Sequence, residues 1–287
     1  MAEDPRKRNQ DVWIVGPRDG EWNFEYSPRM EEVQDKLDDI IDRIPDSPTK
    51  AETRLLRVIQ SAPYAFDAYS NLAYIYWEWL QPADSIGLLR NGLDRAKNLF
   101  PRGFILGRSR LPWGITDNRP FLRMYASLGV RCHDSGDLGS AKTVFEDMLQ
   151  MNPDDNQGAR ELLCSCYFGL GEVESVLKLC ARFEDDGTPA IMFGRVLALL
   201  RSGGTDEAKR ALFTAAKYGS NIATEITKSK HDPLRPRDLG PYVASGSAQE
   251  ARLYWKDFGG YWKGTPGAVK LVRDQARVGD DASKTDS

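Results

Sequence analysis

The chain has 287 residues, of which 41% are apolar and 28% are charged, the composition of an ordinary soluble globular protein. Its formal net charge is −3, with 39 basic and 42 acidic side chains mixed along most of the chain, so no basic stripe predicts nucleic-acid binding. The N-terminus lacks the apolar core of a secretory signal and no apolar run is long enough to span a membrane, so we expect a cytoplasmic location with reduced thiols.

The N-terminal part divides into an arm and a helical segment. We expect residues 1–26 to form a polar or extended arm, in which the β-prone runs VWIV and WNFEY flank the turn-rich GPRDG and predict a small hairpin. Residues 27–64 have helical periodicity. Ser27 and Ser47 each precede a proline, the pattern of an N-cap followed by the first helical position. The sequence therefore predicts N-terminal helices here.

Helix pairs recur at a constant spacing between residues 65 and 218. The clearest pair carries large, small and turn residues at fixed offsets: Tyr125, Leu128, Gly129, Cys132, Gly136, Ala141, Phe145, Met148 and Pro153. The same frame can be placed from Tyr69, from Leu163 and from Phe193. This pattern resembles the tetratricopeptide repeat, a helix–turn–helix unit. The resemblance implies an all-α fold, a right-handed α-solenoid of about four such pairs with N-terminal helices and a C-terminal helical cap.

Two connections and a cap complete the predicted organisation. Residues 100–120 are a long Gly- and Pro-rich loop within the array, and residues 228–246 form a second connection. We expect residues 219–274 to form the helical cap, because Ser247 and Glu250 have the spacing of a capping box before an aromatic-rich helix. Residues 275–287 are expected to be a disordered tail.

A narrower resemblance covers residues 118–272. The chain is similar there to a tetratricopeptide subgroup related to the tumorigenicity-suppressor-7-like repeat proteins. The residues that carry it are Arg119-Pro120, Asn152-Pro153 with Asp155-Asn156-Gln157-Gly158, Gly246-Ser247 with Glu250-Ala251, and Thr265-Pro266-Gly267-Ala268. The resemblance implies a fold and a repeat register more than an activity.

The residue types needed for chemistry are sparse. Only His133 and His231 could serve as histidine bases or ligands, and no GxxxxGK[ST], HExxH or GxSxG motif is present. Cys164 and Cys166 would point roughly 200° apart on a helix, so both cannot readily ligate one metal ion. We therefore interpret the cysteines as core residues and predict no catalytic, cofactor or metal site. An enzyme or a metal or redox sensor that uses His133, His231 or the cysteines stays open as the alternative.

The predicted function is a non-catalytic scaffold or assembly adaptor that binds a peptide or helix of a partner protein in a concave groove. The repeat frame places these residues in that groove: Tyr74, Trp77, Arg123, His133, Glu161, Ser165, Phe168 and Arg201. The positions that hold lysine and asparagine in clamps for chaperone C-terminal tails are Ala126, Val130, Ser165 and Ala198, so such tails are disfavoured. The aromatic helix between Trp255 and Trp262 also allows self-association.

Overall fold

The computed structural model describes residues 11–232, 234 and 243–275. The expectations for the first ten residues, for 233 and 235–242 in the second connection and for the tail beyond 275 lie outside the described residues. The described chain is mostly helical and contains one two-stranded sheet. It divides between Ala159 and Arg160 into two compact units, here called unit 1 and unit 2. The division falls inside the predicted repeat array, in the first turn of a helix that follows a loop where Asp155 and Gly158 have positive φ.

The start of unit 1 is an antiparallel hairpin of β1, Val12–Arg18, and β2, Glu21–Tyr26. Alternate residues face the interior because side chains along a strand point to opposite sides. The hairpin is more than an arm on the surface. Phe24 is fully buried, with its ring centre 5.5 Å from that of Phe66 and 5.2 Å from that of Phe121. This aromatic cluster makes the hairpin part of the unit 1 core.

Six helices complete unit 1: α1, Pro28–Ile41; α2, Pro48–Ser61; α3, Phe66–Trp79; α4, Pro82–Lys97; α5, Arg119–Asp134; and α6, Leu138–Met151. The Ser27 hydroxyl caps α1 by accepting from the backbone N–H of Met30. At Gly129 a Cβ atom would lie 2.7 Å from the Phe145 ring, so the absence of a side chain lets α6 approach α5 closely. Consecutive helices pack as pairs at such sites.

The long connection between α4 and α5 packs onto the hairpin. Its last residue, Asn118, is fully buried and belongs to a short 3-10 helix, Thr116–Asn118. The Asn118 side chain accepts from the N–H of Phe24 and donates to the carbonyls of Trp22 and Pro112. The helix α5 begins at Arg119, so the loop ends slightly earlier than the predicted residue 120. The loop is thus a structural link between the hairpin and α5.

Unit 2 contains six labelled helices among its described residues: α7, Ala159–Gly169; α8, Val173–Arg182; α9, Pro189–Arg201; α10, Thr205–Tyr218; α11, Ser220–Thr227; and α12, Ala248–Lys263. A further helical stretch covers 268–275. The Ser247 hydroxyl accepts from the N–H of Glu250, as the capping box predicts, while the Glu250 carboxylate accepts from the N–H of Gly246. This cap fixes the start of α12.

Candidate functional site

Unit 1 contains an open cavity of about 600 Å³ on one face of its helices. We call it the unit 1 cavity. Its lining comes from α1, α3, α5 and the loop before α7, and consists of Asp38, Ile41, Asp67, Ser70, Asn71, Tyr74, Arg123, Ala126, Ser127, Val130, Arg131 and Gln157. No residue of the 100–120 loop lines it. The volume falls within the range of about 300–1,000 Å³ that is usual for ligand pockets.

An ion pair joins α3 to α5 at one end of this cavity. The Nε of Arg123 donates to Oδ1 of Asp67 at 2.8 Å, and Nη2 donates to Oδ2 at 2.5 Å. The hydrogen bond with Asp67 raises the pKa of Arg123 above its ordinary value, against the opposing effect of burial. Asn71 donates to the backbone carbonyl of Asp67 from the next turn. The pair is therefore a fixed, mutually neutralised feature of the lining.

Aromatic residues and a second arginine lie along α3 and α5 toward their C-terminal ends. Tyr74 lines the cavity with 43% of its surface exposed, and its ring makes an edge contact with Trp79 at 5.2 Å. The guanidinium of Arg131 lies 4.9 Å from the centre of the Trp77 ring and 3.4 Å from a carboxylate oxygen of Asp134. Burial lowers the pKa of Arg131, and neighbouring acids offset this only in part.

The other predicted unit 1 residues occupy supporting positions. Trp77 does not line the cavity but supports the guanidinium of Arg131. His133 also lies outside the lining; it is half-buried, with Nδ1 3.8 Å from a carboxylate oxygen of Asp134. Of the predicted unit 1 residues, Tyr74 and Arg123 therefore line the cavity, whereas His133 does not.

In unit 2 the predicted groove residues are covered by the chain's own helix α12. Ser165 is 1% exposed and Phe168 is 2% exposed. The Phe168 ring lies 5.5 Å from that of Tyr261, and the Tyr261 hydroxyl donates to the backbone carbonyl of Ser165. The guanidinium of Arg201 lies over the Phe168 ring at 5.2 Å. Aromatic side chains of α12 thus pack onto the positions where a partner is expected to bind.

The contacts of α12 also fix its direction. Tyr254, near its start, contacts Phe193 near the start of α9. Beyond its end, the Thr265 hydroxyl accepts from Arg201 Nε at 2.9 Å, at the end of α9. The helix α12 thus runs alongside α9 in the same direction. The aromatic face that suggested self-association is turned inward, since Phe258 and Trp262 are buried there. Glu161, the remaining predicted residue, is half-buried in the first turn of α7.

The second histidine belongs to a polar cluster in unit 2 that is centred on the buried carboxylate of Glu225. His231 Nδ1 donates to Oε1 of Glu225 at 2.9 Å, and the Lys228 ammonium donates to the other carboxylate oxygen at 2.5 Å. Burial by itself raises the pKa of the Glu225 carboxyl, but these hydrogen bonds outweigh it and hold the pKa below its usual range. The His231 ring stacks on Trp255 at 3.9 Å. The cluster anchors the segment after α11 to α12.

A second cavity, of about 870 Å³, lies in unit 2 and is lined by α8, α9, α10, the segment after α8 and Ser245. Its apolar floor includes Ile191 and Met192, and acidic side chains on its rim include Glu184 and Asp185. Neither histidine lines it or the unit 1 cavity. Within 11–232, 234 and 243–275, no three histidine, cysteine or acidic residues are grouped so that they could hold a metal ion.

All four cysteines are buried thiols that form no disulfide. Cys132, Cys164 and Cys166 are fully buried, and burial raises the pKa of the Cys132 and Cys164 thiols. Cys180 borders the unit 2 cavity. A hydrogen bond from Cys164 lowers its pKa, burial opposes that effect and Arg195 adds to it. These environments place Cys132, Cys164 and Cys180 in the core, as their repeat positions predict. Cys166 is buried as well, although it lies outside the packing positions of the frame.

Some lining residues were missed from the sequence although a signal for one pair exists. Asp67 and Arg123 each stand two residues before the tyrosine that begins the repeat frame, Tyr69 or Tyr125. Opposite charges at equivalent positions of successive pairs could have predicted their ion pair. Arg131 carries no such signal, because it lies outside the inner-face positions of the frame.

Along the part of the chain that the structure describes, no helix combines the length and apolar character needed to cross a membrane. A scan against protein-family models finds no family that matches the chain, and a search of curated proteins finds no match.

Proposed function

We propose that this chain is a non-catalytic protein–protein interaction module, a scaffold or assembly adaptor built from tetratricopeptide-like helix pairs stacked as a solenoid. In this proposal the unit 1 cavity binds a segment of a partner protein. The supporting observation is the contrast between the units. In unit 2 the chain's own α12 covers Ser165 and Phe168, whereas in unit 1 Tyr74 and Arg123 remain exposed beside an open cavity.

The composition of the unit 1 cavity supports binding rather than catalysis. Tyrosine, tryptophan and arginine are the residue types enriched in binding hot spots, and Tyr74 and two arginines meet there. The Asp67–Arg123 pair and the Arg131–Trp77 contact hold the two arginines in place before a partner arrives. A side chain that is already ordered loses less conformational entropy on binding. The lining thus has exposed anchors on a rigid scaffold.

A site-specific crosslinking experiment tests this proposal. A photoreactive benzoylphenylalanine replaces Tyr74 in one sample and Phe213 in a control, because Phe213 is an aromatic residue of α10 with 65% exposure that does not line the cavity. We expect a protein to crosslink at position 74 and not at 213. The crosslinked protein is then purified and its affinity for the chain measured by calorimetry.

The affinity of the purified partner decides the outcome. Tyr74→Ala should weaken binding by at least about tenfold, the effect of removing a hot-spot side chain, while Phe213→Ala should leave it unchanged. Equal crosslinking at the two positions, or an affinity that Tyr74→Ala does not change, would overturn the proposal. Far-UV circular dichroism of both variants checks that the fold is retained.

A further inference from the structure

Both units contain the same contact between an aromatic ring and an arginine from a later helix. In unit 1, Arg131 of α5 lies over Trp77 of α3; in unit 2, Arg201 of α9 lies over Phe168 of α7. These pairs place a cation and a flat apolar surface side by side on the helix faces. The two units differ in what their guanidinium groups meet next.

In unit 2 the guanidinium meets the end of a helix. Arg201 donates to the Thr265 hydroxyl at 2.9 Å and to the backbone carbonyl of Tyr261 at 3.3 Å, in the last turn of α12. The last carbonyls of a helix have no partner within the helix and carry a partial negative charge. A cation at this position is therefore the natural complement of a helix C-terminus.

In unit 1 the guanidinium over the ring faces an open cavity instead of a helix end. Arg131 stacks on Trp77 and lies 3.4 Å from a carboxylate oxygen of Asp134, which is long for a charge-assisted hydrogen bond. Burial lowers the pKa of Arg131, as it lowers the pKa of Arg201, and the acids Asp134 and Glu78 offset this only in part. An additional acceptor beside Arg131 would stabilise its charge.

Among the residues that line the unit 1 cavity, the acidic side chains lie at the end opposite Arg131. Asp67 pairs with Arg123 near the start of α5, and Asp38 of α1 also acts on the charge of Arg123. Within the lining, two acids and one base thus lie at this end and Arg131 lies at the other. Asp134 and Glu78 act on the charge of Arg131 but do not line the cavity. A helix placed with its N-terminus toward the acids and its C-terminus toward Arg131 has the complementary dipole.

We propose that the partner segment in the unit 1 cavity is an amphipathic helix that lies along α3 and α5 and ends with its last turn at Arg131, in the manner of α12 at Arg201. This inference rests on the proposed function. The apolar face of the helix contacts Tyr74, Ile41 and Val130. From Arg123 to Arg131, α5 rises about 12 Å, so two to three turns of the partner helix suffice. An acidic residue or an uncapped carbonyl group in its last turn accepts from Arg131.

A displayed library of 16-residue peptides, selected against the full chain, provides the probe. We expect the selected peptides to carry apolar residues at helical spacing with an acidic residue near the C-terminal end, and to become helical on binding by circular dichroism. Their affinities are measured by fluorescence anisotropy. Arg131→Gln should weaken binding by at least about tenfold, whereas Arg131→Lys, which keeps the charge, should weaken it less.

Two variants separate this inference from the proposed function. Ala126→Trp fills the cavity and leaves the charge of Arg131 unchanged, and Tyr74→Ala removes the aromatic anchor. Both substitutions should weaken peptide binding, whereas the control Phe213→Ala should not. The helix inference is overturned if the selected peptides bind in an extended form. It is also overturned if Arg131→Gln leaves their affinity unchanged while Tyr74→Ala lowers it. Either result leaves the proposed function intact. Peptides that are indifferent to both Tyr74→Ala and Ala126→Trp overturn both.

A second copy of the chain is the competing occupant. Sedimentation velocity over a wide concentration range tests it, and we expect a monomer at concentrations where the selected peptides bind. A dimer that Tyr74→Ala dissociates and Phe213→Ala does not would assign the cavity to a second copy and overturn the partner-helix inference.

Discussion

The guanidinium of Arg131 lies 4.9 Å from the centre of the Trp77 ring and joins α5 to α3 beside the unit 1 cavity. The side chain of Arg131 is mostly buried, so the contact lies in surroundings that screen charge less than water does. A cation over an aromatic face is worth more when it is desolvated than when it is exposed. The pair therefore holds the arginine in place and helps to lock the two helices together.

A double-mutant cycle on Arg131→Ala and Trp77→Ala should give a favourable coupling of about 0.5–2 kcal/mol in urea unfolding. The matched control is Lys217 with Tyr218, where the ammonium lies 5.8 Å from an exposed ring on α10. Its coupling should be smaller because water screens it. Equal couplings for the two pairs would contradict the burial argument.

Asn118→Ala should lower the free energy of unfolding by about 2–4 kcal/mol. The substitution leaves the N–H of Phe24 and the carbonyls of Trp22 and Pro112 without their buried partner. Asn91→Ala is the control, because that side chain lies on the surface of α4 and should change stability by less than about 0.5 kcal/mol. The measurement is chemical denaturation, and a difference below about 1 kcal/mol between the variants would disprove the structural role of Asn118.

Tyr254→Phe should loosen α12. The Tyr254 hydroxyl accepts from the buried indole N–H of Trp262 at 2.7 Å, so its removal leaves that donor unsatisfied at a cost of about 1–3 kcal/mol. Hydrogen exchange of the α12 amides should accelerate accordingly. Tyr218→Phe, which alters a tyrosine that is 67% exposed, should leave this exchange unchanged. Unchanged exchange in both variants would contradict the tight docking of α12.

Glu225→Gln should destabilise the chain at neutral pH, and the difference from the native protein should shrink below about pH 4, near the ordinary range of a glutamate pKa. The folded-state pKa of Glu225 is lowered, so its stabilising effect is present above the unfolded-state pKa and is lost as pH falls through the folded-state pKa. Unfolding free energies from pH 3 to 7 measure this trend. An exposed control, Glu174→Gln, should change stability by less than about 0.5 kcal/mol throughout.

All four cysteines should react slowly with iodoacetamide in the native protein and rapidly in urea, since each is buried. Among them Cys180 should react first, because it borders the unit 2 cavity and its pKa is lowered, whereas burial raises the pKa of Cys132 and Cys164. Mass spectrometry of peptides sampled over time gives the order. Rapid native labelling of Cys164 would show that this part of the core opens.

The sequence by itself determined the helical elements and several of their ends, because these depend on contacts between residues close along the chain. Ser27 caps α1 and Ser247 caps α12 through hydrogen bonds that span three residues, and Gly129 has the missing side chain that a close helix crossing needs. The hairpin followed in the same way from its turn and its alternating apolar residues. Such local chemistry can be identified without knowing the rest of the molecule.

Only the tertiary structure decided which of the predicted groove residues are accessible. The repeat frame assigns both Phe168 and Tyr74 to the inner face of the helix pairs. Helix α12, from some 80 residues farther along the chain, covers Phe168, whereas no described element closes over Tyr74. The partners of Arg131 and the burial of Asn118 by the hairpin are likewise contacts between distant segments. Periodicity indicates which face of a helix is apolar; what packs against that face is decided when distant parts of the chain compete to bury their own apolar surface.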